Sequence, residues 1–532
     1  MMVVLLLSLL LCGPAAAQKF YPDDPIWKEP APKHVEQAKR RKLSDYYDYF
    51  LHTLARPGEY HRNGQIYPAR AVNTLGEALD SAWYTNRHGR EKMSAGDLIR
   101  GAGKDNAPSL EGPWRVLSAK SEGVTPGFFI ADSAGRRYFL KFDPLSNPEM
   151  ASGADVIGSK FFHALGYNVP QNYIVRFRRD RLDIDPKARL RDDKGVERPI
   201  TPLDVTEILY KASADSEGYY RAVASFLLEG VPLGPFHYFG TRADDPNDVV
   251  PHEHRRDLRG LWVFSAWLNH DDSRSINSLD MLVEETGRKF VRHHLIDFGS
   301  ILGSASEKPN SARSGHERLF SWKPALKEIF TLGLWAPKWT RVNYPDLPSV
   351  GRFESSIFHP EEWRDEYRNP AFENRLPDDT FWAAKQVMRF TDEEIAMIVQ
   401  TGEYSDPHAE RWVIDRLIER RNKIGAVYFD RVLPLDNFAV RDGELAFEDL
   451  GVRYGYAQPR DFEVAWSRFD NMTGEKSAVA GETSFRLPAI SADYLHAAIR
   501  GADPALTVSV YLRRNGAGWE PVGIERTWRK RR

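Results

Sequence analysis

Cysteine is all but missing from this chain: its 532 residues contain one, Cys12. That residue closes an opening apolar run, Val3 to Leu11, and is followed by Gly-Pro-Ala-Ala-Ala17. An apolar run of this length ending in small residues reads as a secretory signal cut after Ala17, although no Lys or Arg precedes it. Leu11 is too bulky for lipoprotein processing at Cys12. The chain left after cleavage has no cysteine, which excludes disulfides, thiol catalysis and Cys-based metal sites. Long apolar runs are the second absence. Nothing after residue 17 approaches the ~18 apolar residues of a membrane span. One-signed charge is the third: a formal net charge of -2 leaves no electrostatic footprint for nucleic acid. Internal repeats are also lacking. The expectation is an exported protein, periplasmic or secreted, without a membrane span or a nucleic-acid partner.

What is present concentrates in two stretches. One runs from Trp267 to Gly299. Asp272 precedes Asn277 by five positions, and the apolar pair Leu295-Ile296 delivers Asp297 into Phe298-Gly299. Between them Glu284-Glu-Thr-Gly287-Arg-Lys reads as a hairpin turn, with Gly287 supplying the positive φ. The spacing predicts a loop bearing Asp272 and Asn277, then two strands, with Asp297 at the end of the second.

The other stretch is Trp114 to Gly166. It reads as a strand, a polar loop from Ser118 through Ser121 and Gly123 to Gly127, a strand, a turn, and a strand carrying Lys141. A lysine between Leu140 and Phe142 costs free energy unless its ammonium is paired. Ile157, Phe161, Ala164 and Leu165 then recur at helical spacing, with Gly166 as a stop. Two acids lie near this helix, Glu149 and Asp155. Glu149 follows Pro148 at the helix start, where the dipole alone favours an acid. Asp155 lies inside the helix beside Gly158 and Ser159, whose size permits close packing.

In this order, the features resemble the protein-kinase-like superfamily over roughly residues 114 to 425. The likeness is to its atypical branches: HipA-type, phosphatidylinositol, spore-coat CotH and secreted Golgi kinases. Asn269-His-Asp-Asp stands where H-R-D would stand, and the first loop does not match G-x-G-x-x-G. The resemblance implies an α+β, two-lobed kinase-like fold that uses ATP with Mg2+ or Mn2+. It implies Asp272 as base and Asn277 and Asp297 as metal ligands. Lys141 would pair with the phosphates and with an acid of the helix, Asp155 being preferred to Glu149. Ser118, Ser121, Gly123 and Gly127 would line the phosphate loop. The acceptor stays open among protein, glycan, lipid head group and small molecule.

Around this centre the chain divides into an extension over 18–110, an N-lobe over 111–234, a helical C-lobe over 235–430 and a β module over 435–532. In the extension, Leu43, Tyr46, Tyr47, Phe50 and Leu54 predict a helix from His34 to about Leu54, opposite Lys39-Arg-Arg-Lys42. Residues 179–218 are charged and read as an inserted excursion. Glu229 to Gly234 reads as a connector; by resemblance it is the hinge and adenine site. Thr391-Asp-Glu-Glu394 is a capping box. Near the end, alternation in Phe462, Val464 and Trp466 and in Leu506 to Leu512, with Asn515-Gly516, predicts a hairpin-rich, sandwich-like all-β module.

Two other functions fit the sequence. His252-Glu-His254, His270-Asp271 and His293-His294 admit a metal-dependent phosphohydrolase, although Pro251 to Asp257 also reads as a solvated helix start. A nucleotide-binding pseudokinase or binding module is the third reading, because fold does not fix function.

Overall fold

The computed structural model describes residues 18–62, 65–119, 126–191, 196–332, 335–516 and 518–529. Residues 1–17, where the signal is expected, and the loop residues Ser121 and Gly123 lie outside them. The chain is a mixed α/β protein that divides into two compact units. One comprises residues 27–72 and 78–429; the other comprises 18–26, 73–77 and 430–532.

The larger unit contains strands β1 (Trp114–Ala119), β2 (Gly127–Ala131), β3 (Arg137–Phe142), β4 (Asn172–Phe177), β5 (Leu182–Arg191), β6 (Glu197–Pro199), β7 (Tyr220–Phe226), β8 (Val231–Gly234), β9 (Ser278–Glu285) and β10 (Arg288–Leu295). Its helices are α1 (Asp45–Phe50), α2 (Ala95–Arg100), α3 (Met150–Ala164), α4 (Pro202–Tyr210), α5 (Arg256–Leu268), α6 (Trp322–Phe330), α7 (Pro370–Glu373), α8 (Pro377–Met388), α9 (Asp392–Gln400) and α10 (Pro407–Phe429).

Seven strands form one sheet in the order β4-β7-β3-β2-β1-β5-β6, with only β1 and β5 parallel. Period-two alternation sorts its faces. Trp114, Phe128, Tyr138, Leu140 and Phe142 enter a core that Val205 and Leu209 of α4 complete. Lys141 therefore falls on the opposite face, where α3 packs. Residues 179–218 are not an excursion: β5, β6 and α4 extend this sheet and close its core, because Leu182, Ala188 and Ile200 alternate among the charges. After β7 the chain crosses at residues 227–230 into a second sheet, β10-β9-β8.

α5 is buried along its whole length, charged residues included. Arg420 of α10 closes its C-terminal end, donating from Nε to Trp267 O at 3.0 Å and from Nη2 to Ala266 O at 2.5 Å. These are carbonyls that the helix itself leaves without partners. Asn269 then turns left-handed at φ 51° and starts the Asp272 loop.

The helix expected over His34 to Leu54 is shorter. Residues 34–44 are extended, with Val35 N donating to Lys289 O at 2.8 Å and Arg41 N to Leu233 O at 2.6 Å. Helix begins at Asp45, and its buried side is polar: Tyr367 Oη donates to Asp48 Oδ2 at 2.6 Å, and the His52 ring stacks on Tyr367. The expected apolar face points outward.

The smaller unit holds β11 (Leu435–Arg441), β12 (Glu444–Asp449), β13 (Glu463–Phe469), β14 (Lys476–Ala478), β15 (Tyr494–Arg500), β16 (Thr507–Asn515), β17 (Gly518–Arg526) and a helical turn α11 (Leu450–Arg453). A five-stranded antiparallel sheet, β14-β13-β15-β16-β17, shares one core with the β11–β12 ribbon through Leu435, Leu445, Trp466 and Val510. The expectation of an all-β module is thus corrected by one helical turn. Asp449 nucleates it, accepting from the Gly451 and Val452 amides at its N-terminus. Phe20 adds a small cluster with Phe469, Tyr511 and Val522.

Candidate active site

β3 presents Lys141 to α3 and to the turn after β10. Its Nζ donates to Asp155 Oδ2 at 2.9 Å and to Asp297 Oδ1 at 2.7 Å. Burial pulls the ammonium down, but the two carboxylates overcome it and hold Lys141 above its ordinary range. Asp155 is fixed from behind, where Asn172 Nδ2 donates to its Oδ1 at 2.9 Å. Glu149 is elsewhere: its Oε2 accepts from the Ser405 amide at 2.9 Å. Asp155, not Glu149, meets the lysine.

Asp297 sits at φ 65°, in the left-handed region, and so turns sharply off β10. Phe298 then stacks on Phe162 of α3 with centroids 4.9 Å apart. Gly158 makes that seat possible: a Cβ there would lie 2.7 Å from Phe298 Cβ and 2.5 Å from Ile301 Cδ1. Gly127 lies directly opposite Lys141 in the β2–β3 pairing. A Cβ on it would lie 2.0 Å from Leu140 O, so only glycine lets the strands approach here. Ser118 pairs with Phe129 beyond a register shift at Val116.

The loop after α5 brings in the remaining residues. Asn277 Nδ2 donates to Asp272 O at 2.8 Å, and Asn277 O accepts from Ile296 N, next to Asp297, at 3.1 Å. Ser300 Oγ reaches Asp272 Oδ2 at 3.4 Å. Burial pushes the Asp272 carboxyl up, while the adjacent Arg274 guanidinium opposes the shift. Asp271 points away, into the segment after Gly299: Ser314 Oγ donates to its Oδ2 at 2.5 Å. Burial raises Asp271 to about 7.

Three residues of the site carry no signal in the sequence motifs. Arg274 binds the Asp272 carboxylate and also reaches Asp45 Oδ1 at 2.9 Å and Glu366 Oε2 at 3.4 Å. Burial, with the Asp272 charge beside it, pushes Glu366 up to about 9. Arg274 was available as a cation between Asp272 and Asn277. Asp45 and Glu366 come from distant segments without local pattern.

The histidines do not converge on one metal site: the His252 and His293 rings lie 6.5 Å apart, both against Trp83, but each is engaged by a different carboxylate. His252 Nε2 is 2.7 Å from Asp248, His254 Nε2 is 2.8 Å from Glu59, and His293 Nδ1 is 2.7 Å from Asp280. His270 packs against the Phe162 and Phe298 rings, where burial lowers it to about 4. Pro251 to Asp257 is not a solvated helix start; its residues from His252 to Asp257 are buried. Among the described residues, no group of three His, Cys, Asp or Glu is placed to hold a metal ion. The dinuclear hydrolase arrangement is absent from them.

The donor set around Lys141 is oxygen-rich. Asn277 donates through its nitrogen, so its carbonyl oxygen is the ligand atom it offers, and Asp297 offers a carboxylate. One carboxylate and one carbonyl suit a hard divalent cation that takes its remaining ligands from phosphates and water.

No protein-family model matches the chain, and no curated protein matches it. Among solved structures it is similar to the Golgi casein kinase, at 10% identity and a TM-score of 0.28 over 62% of this chain and 74% of that one. It is likewise similar to a Golgi casein kinase with Mn/ADP bound, at 9% identity and 0.28 over 63% and 73%. Likeness this loose carries no argument. Among the described residues, no helix is long and apolar enough to cross a membrane.

Proposed function

We propose that this chain is an exported, atypical kinase-like phosphotransferase that moves the γ-phosphoryl group of ATP to an alcohol, assisted by Mg2+ or Mn2+. The observation that carries the proposal is the Lys141 ammonium, held 2.9 Å from Asp155 and 2.7 Å from Asp297 by elements 14 and 156 residues away. A half-buried lysine with two carboxylates, and an Asp/Asn loop, are the groups that phosphoryl transfer uses. The seven-stranded sheet with α3 would be the N-lobe, residues 227–234 the hinge, and 235–429 the C-lobe.

ATP would supply the phosphoryl group, and the cation would neutralise its charge. Lys141 orients the phosphates, with Asp155 keeping it charged and aimed. Gly127, opposite Lys141, leaves room for them. Asp297 and Asn277 would hold the cation. Asp272 orients the acceptor hydroxyl and takes its proton as the new O–P bond forms and the bond to the leaving diphosphate breaks. Burial, which raises this carboxyl, improves it as a proton acceptor.

The test is thermal stabilisation by nucleotide with Mn2+, followed by transfer from labelled ATP. A ligand that binds only the folded state raises its melting temperature. Asp297→Ala should remove the metal-dependent shift. An unchanged shift would exclude Asp297 as a ligand, and nucleotide binding without turnover on any acceptor class would replace the enzyme with a pseudokinase.

A further inference from the structure

Two exposed apolar elements leave the candidate site at one point. Arg274, bound to Asp272, also holds Asp45 at the start of α1 and Glu366. Glu366 O accepts from the Leu319 amide at 2.8 Å, and α6 follows three residues later. From Asp45 the helical turns run on to Ala55. Asp48 and His52 face Tyr367, while Tyr46, Phe50 and Leu54, at i, i+4 and i+8, share the outward face. Tyr46 is 81% exposed and Leu54 75%. On α6, Trp322 is 68%, Ile329 67% and Phe330 82% exposed. Apolar surface on this scale marks an interaction site.

The surrounding charge says what covers it. Lys39-Arg-Arg-Lys42 lead into α1. From Lys308 to Arg341 there are seven Lys and Arg against two Glu; Lys308 pairs with Glu307 and Arg318 with Asp365 and Glu373, which leaves Arg313, Lys323, Lys327, Lys338 and Arg341 as the remaining cations of the segment. Lys327 extends its ammonium over the Trp335 ring, at 4.2 Å. Aromatic and aliphatic side chains interleaved with Lys and Arg match a bilayer interface, where rings sit at the head groups and cations meet lipid phosphates. The core of a protein–protein interface would be depleted of lysine.

We propose that α6 and the helical turns over 45–55 dock the chain on an anionic lipid surface and so bring Asp272 to acceptor alcohols borne there. The acceptor class rests on the phosphotransferase reading; the docking does not.

Full-length mature chain should co-sediment with vesicles of phosphatidylcholine and phosphatidylglycerol. Affinity should fall on the order of tenfold or more without phosphatidylglycerol, because each basic residue near the surface contributes several-fold. Ile329→Asp with Phe330→Asp should abolish sedimentation at an unchanged melting temperature, since both side chains are exposed. Tyr46→Ser with Phe50→Ser should weaken it. Three results would overturn the proposal: no binding to anionic vesicles, binding unaffected by the α6 variant, or self-association in solution that the α6 variant abolishes. Asp272→Asn separates the two readings. It should sediment as wild type; if transfer proves absent altogether while sedimentation holds, the enzyme reading falls and the docking surface stands.

Discussion

Gly158→Ala tests how the candidate site is held. The added Cβ would sit 2.5 Å from Ile301 Cδ1 and 2.7 Å from Phe298 Cβ. Ordinary carbon contacts need about 3.5–4.0 Å, so the Phe298 turn must retreat by roughly 1 Å. Alanine in a helix interior is worth about 1 kcal/mol over glycine, and overpacking a core costs about 1–3 kcal/mol. Stability should therefore fall by no more than about 2 kcal/mol. The effect on chemistry should be larger. Asp297 adjoins Phe298, and its contact with Lys141 is only 2.7 Å long. A shift of about 1 Å takes that contact beyond hydrogen-bond range and costs transfer on the order of a hundredfold. Melts with and without ATP and Mn2+, beside transfer from labelled ATP, read both effects. Gly96→Ala is the control, because only Ser94 Oγ, at 3.9 Å, lies near its Cβ. Wild-type transfer and a full nucleotide-dependent shift in Gly158→Ala would refute the idea that the Phe298 seat positions Asp297.

Asp272→Asn should leave nucleotide binding intact and lower transfer on the order of a hundredfold or more, while Asp271→Asn, tied to Ser314, should be much milder; a dead Asp271 variant would reverse the assignment of the two residues. Acid should destabilise the fold through its buried neutral histidines. His237, His270, His294 and His496 are each lowered by burial to about 4. The unfolded chain protonates first, near pH ~6.5, so this stability is complete above that pH and is lost as pH falls towards 4; His270→Leu should flatten the melting-temperature profile between those limits, and an unchanged slope would exclude it as a contributor. Arg420→Ala should lose about 3–5 kcal/mol in urea unfolding, because the α5 carbonyls lose their buried donors; a loss below about 1 kcal/mol would show that water replaces the guanidinium.

Most of the Lys141 site was legible because its residues lie on regular elements. Alternation put Lys141 on a face of its own, and helical spacing put Asp155 one turn from Gly158. The five-residue interval fixed Asp272 relative to Asn277. What failed was long-range or inverted. Glu366 and Asp45 reach Arg274 from remote segments, which no local pattern encodes. The apolar stripe from Leu43 to Leu54 has true helical spacing from Tyr46 onward, yet the hidden side is the polar one, because Asp48 and His52 find Tyr367. Amphipathicity gives a period and two faces; tertiary partners decide which face is covered. Residues 179–218 misled for a related reason, since β5 shows charge to solvent on one face and Leu182 and Ala188 to the core on the other, with Ile200 joining that core just after β6.

The extended segment over 34–44 has a consequence for the order of folding. Val35 is bonded to Lys289, Arg41 to Leu233, and Asp45 to Arg274. Each partner stands roughly two hundred residues or more downstream, so these contacts carry a large loop-closure entropy. A chain threaded out N-terminus first exposes this segment earliest and gives it its partners last. Until β8, the Arg274 loop and β10 have emerged and paired, the cationic strap from Lys39 to Lys42 has no native seat. Assembly of the site therefore ends with the segment that emerged first.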